Sequence, residues 1–203
     1  MITLAIETST TRGSIALLRD GEGVFSNTFT SERSHNSHIF APLGEALRIA
    51  QPDLIVVGTG PGSYTGARIG IAAGIGISLT HEARLIGLPS VLAAESSSSY
   101  HLVGDARRKS YFYAEVADRQ LVRPPELIDR EALDKLLQAE RQPFVTFDAE
   151  PPAPGIETSH ASALILAQLA ESLTEPEIEA LASAPVVPHY MSAPFVTQAK
   201  KRV

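Results

Sequence analysis

The chain has 203 residues, 44% of them hydrophobic and 20% charged, enough to bury a core in one domain or two small ones. No apolar run reaches the roughly 20 residues that span a bilayer, and the opening MITLAIETST lacks the basic start and long apolar core of a secretory signal, so a cytoplasmic chain is expected. The absence of cysteine excludes disulfides, thiolate zinc sites and cysteine nucleophiles, and a formal charge of -6 opposes unaided binding to a phosphate backbone.

Residues Ile2 to Glu7 and Ser14 to Arg19 read as a hairpin around Thr8 to Gly13, with a third strand, Gly23 to Thr30, after the Asp20-Gly21 turn. Apolar positions Ile39, Leu43, Ala46, Leu47 and Ala50 recur at helical spacing, which predicts a helix from His35 to Ala50, ended by Pro52. The run Leu54-Ile55-Val56-Val57 suits a strand buried on both faces. It leads into GTGPGSYTG, a helix from Thr65 to Leu79, and a short strand, Arg84 to Leu88, closed by Pro89.

The serine run Ser96 to Ser99 carries no apolar periodicity and marks the expected boundary between two lobes, residues 1–98 and 99–203. Beyond it, His101 to Asp105 and Ser110 to Val116 read as strands paired across Ala106 to Lys109. Asp129 to Ala139 reads as a helix, Phe144 to Phe147 as a strand, Pro151 to Gly155 as a loop and Ser159 to Ser172 as a last helix. The C-terminal residues have no clear element, and Lys200-Lys201-Arg202 reads as a disordered basic tail. Such an order predicts an α/β protein of two similar mixed-sheet lobes with flanking helices, the second smaller.

Gly58, Gly60 and Gly62 lie between a buried strand and a helix, where glycine permits a tight turn and close approach of a backbone or a phosphate. A Walker loop requires lysine and serine or threonine after its last glycine, and Gly66-Ala67-Arg68 stands there instead. The dinucleotide fingerprint needs glycine where Thr65 stands, and the nucleophile elbow needs glycines where Pro61 and Thr65 flank Ser63. Ser63 therefore reads as a helix cap.

In the following helix Gly66, Gly70, Gly74 and Ser78 fall at strict four-residue intervals. The three glycines give up about 3 kcal/mol of helix propensity along one stripe. A row of missing side chains makes a groove for another helix, supplied by this chain or by a partner, while Ile69, Ile71, Ile75 and Leu79 would cover the sheet. His35 to Ala50 is the local candidate for that neighbour, and the two helices together could make half of an intermolecular bundle.

Other groups have chemical and plain readings side by side. Glu7 could hold a metal-bound water or end a strand. His35 and His38, three apart, could ligate a metal or begin a solvated helix. Arg107, Arg108 and Lys109, beside Tyr111, Phe112 and Tyr113, could meet RNA phosphate or an acidic partner, or form a charged hairpin turn.

Four blocks, LAIETST with SIAL, RSHNSHIFAPL, GTGPGSYTGARIGIAAGIGISL, and DARRKSYFY with a late PHYM, together resemble the TsaB (YeaZ) family of bacterial tRNA threonylcarbamoyladenosine synthesis. The resemblance implies the RNase H-like fold of the ASKHA superfamily (actin, the heat-shock ATPases and sugar kinases), in two lobes related by duplication. It implies a subunit without catalytic residues, cofactor or metal of its own. The partner TsaD would hold nucleotide and metal and transfer the threonylcarbamoyl group to N6 of adenosine 37 in tRNAs reading ANN codons, and the ATPase TsaE would join them. Pairing with TsaD, or with a second copy of the chain, would fall on His35, His38, Gly66, Arg68, Gly70, Ala73, Gly74 and Ser78, with tRNA met through the complex. A stand-alone ATP-binding enzyme using a vestigial site at Glu7 and Asp105, and a metallohydrolase, are the alternative functions.

Overall fold

The computed structural model describes residues 1–30, 36–107 and 109–191. Five strands, β1 (Ile2–Glu7), β2 (Arg12–Arg19), β3 (Glu22–Thr30), β4 (Leu54–Gly58) and β5 (Arg84–Leu88), form a sheet ordered β3-β2-β1-β4-β5. The first three pair antiparallel through short turns, whereas β4 and β5 join in parallel. Parallel pairing needs crossovers, and the helices α1 (Asn36–Ile49) and α2 (Tyr64–His81) supply them. The second sheet contains β6 (Tyr100–Asp105), β7 (Tyr111–Ala117), β8 (Gln120–Ile128), β9 (Phe144–Thr146) and β10 (Ile156–Thr158). Its order, β10-β9-β6-β7-β8, repeats the first sheet's pattern of three antiparallel strands followed by two parallel ones. The second lobe is the reduced copy, with β9 and β10 only three residues each.

Strand alternation decides which helices cover which face. Leu4, Ile6, Ile15, Leu17, Ile55 and Val57 point toward α1 and α2, where they meet Ile39, Leu43, Ala46, Ile71 and Ile77. Ala5, Ala16, Leu18, Leu54 and Val56 point the other way, against α4 (Ala163–Ser172) and α5 (Glu175–Ala182). The small Ala5 and Ala16 let Ala163, Ala167 and Ala170 of α4 come close. Ser14 Oγ accepts from Ala163 N–H at 2.9 Å, taking up one of the free donors at the start of α4. In the second lobe α3 (Arg130–Ala139) lays Leu133 over Val103, Tyr113 and Phe144.

The expected division at residue 98 is corrected by this packing. The turn between the sheets is where the serine run predicts it, but α4 and α5 return to cover the first sheet, so the first lobe is built from both ends of the chain. Among the strands and α-helices three lie outside the predicted set, β8, β10 and α5, as does a short 3-10 helix at Ser90–Ala93. β8 contains Pro124-Pro125, which an edge strand tolerates because one side of its backbone is unpaired. α5 carries a readable signal, a capping box between Thr174 and Glu177. Among the described residues no helix is long and apolar enough to cross a membrane.

Candidate docking surface

Ser63 begins α2 as expected, its Oγ accepting from Gly66 N–H at 3.1 Å. The glycine turn before it is folded onto the loop after β1. Ser63 N–H donates to Ser9 O at 2.5 Å and Thr8 Oγ1 donates to Gly66 O at 2.8 Å. Gly60 adopts φ +88, a left-handed conformation open to glycine without strain.

The glycine stripe faces inward, which corrects its assignment as a contact surface. Gly66, Gly70 and Gly74 are all buried. A Cβ at Gly66 would strike Thr8 O, one at Gly70 would strike Thr8 Oγ1, and one at Gly74 would come within 2.7 Å of Val57 Cγ1. The missing side chains therefore let α2 sit close on β1 and β4 of its own sheet, and α1 does not fill the stripe. Ser78 is half-buried and donates to Ala83 O at 2.6 Å, where Glu82 closes the helix at φ +54. The stripe expected to cover the sheet is itself divided. Ile71 is buried, but Ile75 is 42% and Leu79 78% exposed.

What α2 turns outward, together with α1, is an apolar groove of about 810 Å³. Phe40, Leu43, Gly44 and Leu47 form one wall, and Ile69, Ala72, Ala73, Gly76 and Ile77 form the other. Phe40 is 64% exposed. Gly76 has open space where a Cβ would be, so its absent side chain widens the groove without serving the fold. Arg68 and Ala73, of the predicted contact residues, line this groove. His38 is exposed on α1 but does not line it. His35 lies outside the described residues. The readable signal for the groove is the apolar character of α2 on every side, since a helix apolar all round has to be covered on both faces.

The end of the described chain meets the groove's mouth. His189 N–H donates to Thr59 O at 2.8 Å, and Tyr190 stacks on Tyr64 with ring centroids 4.8 Å apart. Arg68 lies over the Tyr64 ring, 5.1 Å from its centroid, and its Nη1 donates to Tyr64 Oη at 2.8 Å.

The residues considered for nucleotide or metal are not brought together. Glu7 is fully buried, its Oε1 accepting from Ser9 N–H at 2.5 Å. Gly58 leaves the room its carboxylate occupies beside Ser90, so Glu7 is walled in by the glycine turn. Burial pushes its pKa above the ordinary carboxylate range, against hydrogen bonding from Ser9 and Ser90. Asp105 is exposed and accepts from Arg107 N–H at 2.7 Å, serving the hairpin turn of the other lobe. Asp148 donates nothing to a metal set either; it accepts from Asp105 N–H at 2.6 Å, and burial raises its pKa. Among the described residues no group of three or more His, Asp or Glu could hold a metal ion. Arg107 and Lys109 both take left-handed backbone, at φ +68 and +63, in the turn between β6 and β7, while Arg108 lies outside the described residues.

The TsaD family model, described as tRNA N6-adenosine threonylcarbamoyltransferase, matches residues 31–159. Two curated relatives are named tRNA threonylcarbamoyladenosine biosynthesis protein TsaB. The one from Haemophilus influenzae is 34% identical over 134 residues, covering 59% of this chain and 55% of the relative. The one from Escherichia coli is 34% identical over 94 residues, covering 44% and 40%. The chain thus spans about half the length of the curated relatives it matches. Among solved structures, a Pseudomonas aeruginosa protein described as similar to peptidase YeaZ superposes with a TM-score of 0.70 at 21% identity, over 94% of this chain and 99% of that one. YeaZ from Pseudomonas aeruginosa gives 0.67 at 18%, over 93% and 99%. These two share the fold, and with the family model spanning more than half of its residues, the chain belongs to the TsaD family, its curated likeness being to members named TsaB.

Proposed function

We propose that this chain is a non-catalytic subunit that docks and activates a TsaD-type transferase for threonylcarbamoyl transfer to N6 of adenosine 37 in tRNA. The observation that carries the reading is the open apolar groove between α1 and α2, with Phe40 of its wall largely exposed. Surface of that kind marks an interaction site. The names of the curated relatives supply the pathway. A noncatalytic role fits the sealed Glu7 and the hairpin role of Asp105. Nucleotide and divalent metal would then be held by the partner subunits, TsaD and the ATPase TsaE, and tRNA would be met through the cytoplasmic complex.

The test mixes the purified chain with its host's TsaD. Wild type is expected to co-elute with TsaD and to support tRNA modification. Gly76→Phe, which fills the groove at a position with open space for a side chain, is expected to abolish both while leaving the circular dichroism unchanged. Normal assembly by Gly76→Phe would move the docking site elsewhere. Calorimetric titration of the isolated chain with ATP is expected to show no binding, and a saturable heat would favour the stand-alone enzyme instead.

A further inference from the structure

The mostly apolar groove is also lined by Tyr64, Thr65 and Thr80 and, among the described residues, by a single charged side chain. That side chain is Arg68, and it is exposed. Four other arginines pair with carboxylates: Arg12 with Glu95, Arg84 with Glu175, Arg123 with Glu126 and Arg130 with Asp134. No carboxylate among the described residues pairs with Arg68. Its guanidinium is instead held in place by aromatic contacts, over the Tyr64 ring and bonded to Tyr64 Oη, and Tyr64 in turn stacks on Tyr190. This fixes the cation's position before any partner arrives and reduces the side-chain entropy lost on binding.

An arginine buried by a partner must be given a counter-charge, because desolvating it unpaired is costly. A second copy of this chain is poorly equipped to give one. α2, Tyr64 to His81, contains no acidic residue, and α1, Asn36 to Ile49, contains only Glu45. We propose that the groove selects a partner helix with an apolar face and a carboxylate placed to meet Arg68, and that Arg68 thereby favours a heteromeric partner over self-association. This rests on the docking reading above and adds the chemistry of the partner's contact.

The experiment measures two affinities, for the host's TsaD and for self-association, with wild type, Arg68→Leu, Arg68→Lys and Glu45→Gln. Arg68 is exposed, so its variants should fold, which circular dichroism checks. Arg68→Leu is expected to weaken TsaD binding by roughly 10- to 100-fold, to strengthen self-association, and to flatten the salt dependence between about 0.05 and 0.5 M. Arg68→Lys, which keeps the charge but loses the planar fork, is expected to fall between. Glu45→Gln should leave both affinities unchanged. If wild type binds TsaD and Arg68→Leu binds equally well at both salt concentrations, the carboxylate contact is overturned and the docking surface stands. If Glu45→Gln weakens self-association, a second copy does satisfy Arg68 and the proposal fails. If wild type does not bind TsaD at all, both the docking reading and this inference fall.

Discussion

Two buried titratable side chains make the protein's stability depend on pH in opposite directions. Glu7 is the first. Burial raises its pKa in the folded state, so the neutral acid is favoured there. The stability this contributes is full below the ordinary value of 4.5 and is lost as pH rises through the folded pKa. Glu7→Gln keeps an acceptor for Ser9 N–H without the charge. Its melting temperature is therefore expected to match wild type near pH 4.5 and to exceed it increasingly as pH rises, and a Glu7→Gln protein that melts lower throughout would show that the ionised form is the stabilised one. His101 is the second, almost wholly buried, with Nδ1 2.9 Å from Tyr113 Oη and its ring stacked on Phe144 at 4.7 Å. Burial lowers its pKa, only partly opposed by Glu115 and Glu140, so its contribution is full above the ordinary value of 6.5 and lost as pH falls below it. The same burial pushes Tyr113 up to about 12, keeping its hydroxyl protonated beside the imidazole. His101→Phe is expected to lower stability at pH 8, where the bond to Tyr113 is lost, and to flatten the decline between pH 7 and 5. Thermal melts across that range would check both halves of the expectation.

Glycine spacing in α2 is legible in the sequence, but the direction in which it faces is not. A four-residue repeat says that something comes close, and a neighbouring strand satisfies it as well as a neighbouring helix does. Only the meeting of Gly70 with Thr8, and of Gly74 with Val57, distinguishes them. The fourth interior glycine, Gly76, breaks the repeat and is the one that faces the groove. The element therefore contains two kinds of glycine, and substitution separates them. Gly70→Ala is expected to cost about 1–3 kcal/mol through overpacking against Thr8. Gly76→Ala is expected to stabilise the isolated chain by up to about 1 kcal/mol, through helix propensity alone. Urea melts of the two variants give both numbers, and equal effects would mean that both glycines face the same surroundings. Arg68 and Ala73 were within reach of the sequence because the family blocks point to this helix. Phe40 falls within the block RSHNSHIFAPL without standing out in it, and Leu47 lies beyond it, since their periodicity looks the same whether the far side meets solvent or a partner.

At the scale of the molecule, the two-lobe repeat is legible from the order of strands and helices, whereas the return of α4 and α5 is not. An alanine-rich face such as Ala5 and Ala16 announces a close helix without saying which. The linker between the sheets is correspondingly secured from several sides. Arg12 pairs with Glu95 at 2.8 Å, and Tyr100 Oη donates to Val91 O at 2.6 Å. Arg119 occupies the second position of the two-residue turn joining β7 and β8, where both Asp118 and Arg119 are left-handed, at φ +49 and +62. Its guanidinium donates to Leu92 O, Ala94 O and Ser96 O at 3.2, 2.7 and 2.8 Å, and lies over the Tyr100 ring. Those three carbonyls lie in the linker, outside either sheet's ladder, so the side chain supplies partners that secondary structure does not. A residue kept at strained backbone in order to make these bonds should cost more to remove than its turn position alone suggests. Arg119→Ala is expected to lose on the order of 2 kcal/mol, as charge-assisted bonds to partly buried carbonyls are broken. Arg119→Gly relieves the backbone but loses the same bonds, so it should remain below wild type, and hydrogen exchange should rise at residues 92–96 in both variants. A glycine variant as stable as wild type, with those amides still protected, would show that the turn and not the guanidinium holds the two lobes together.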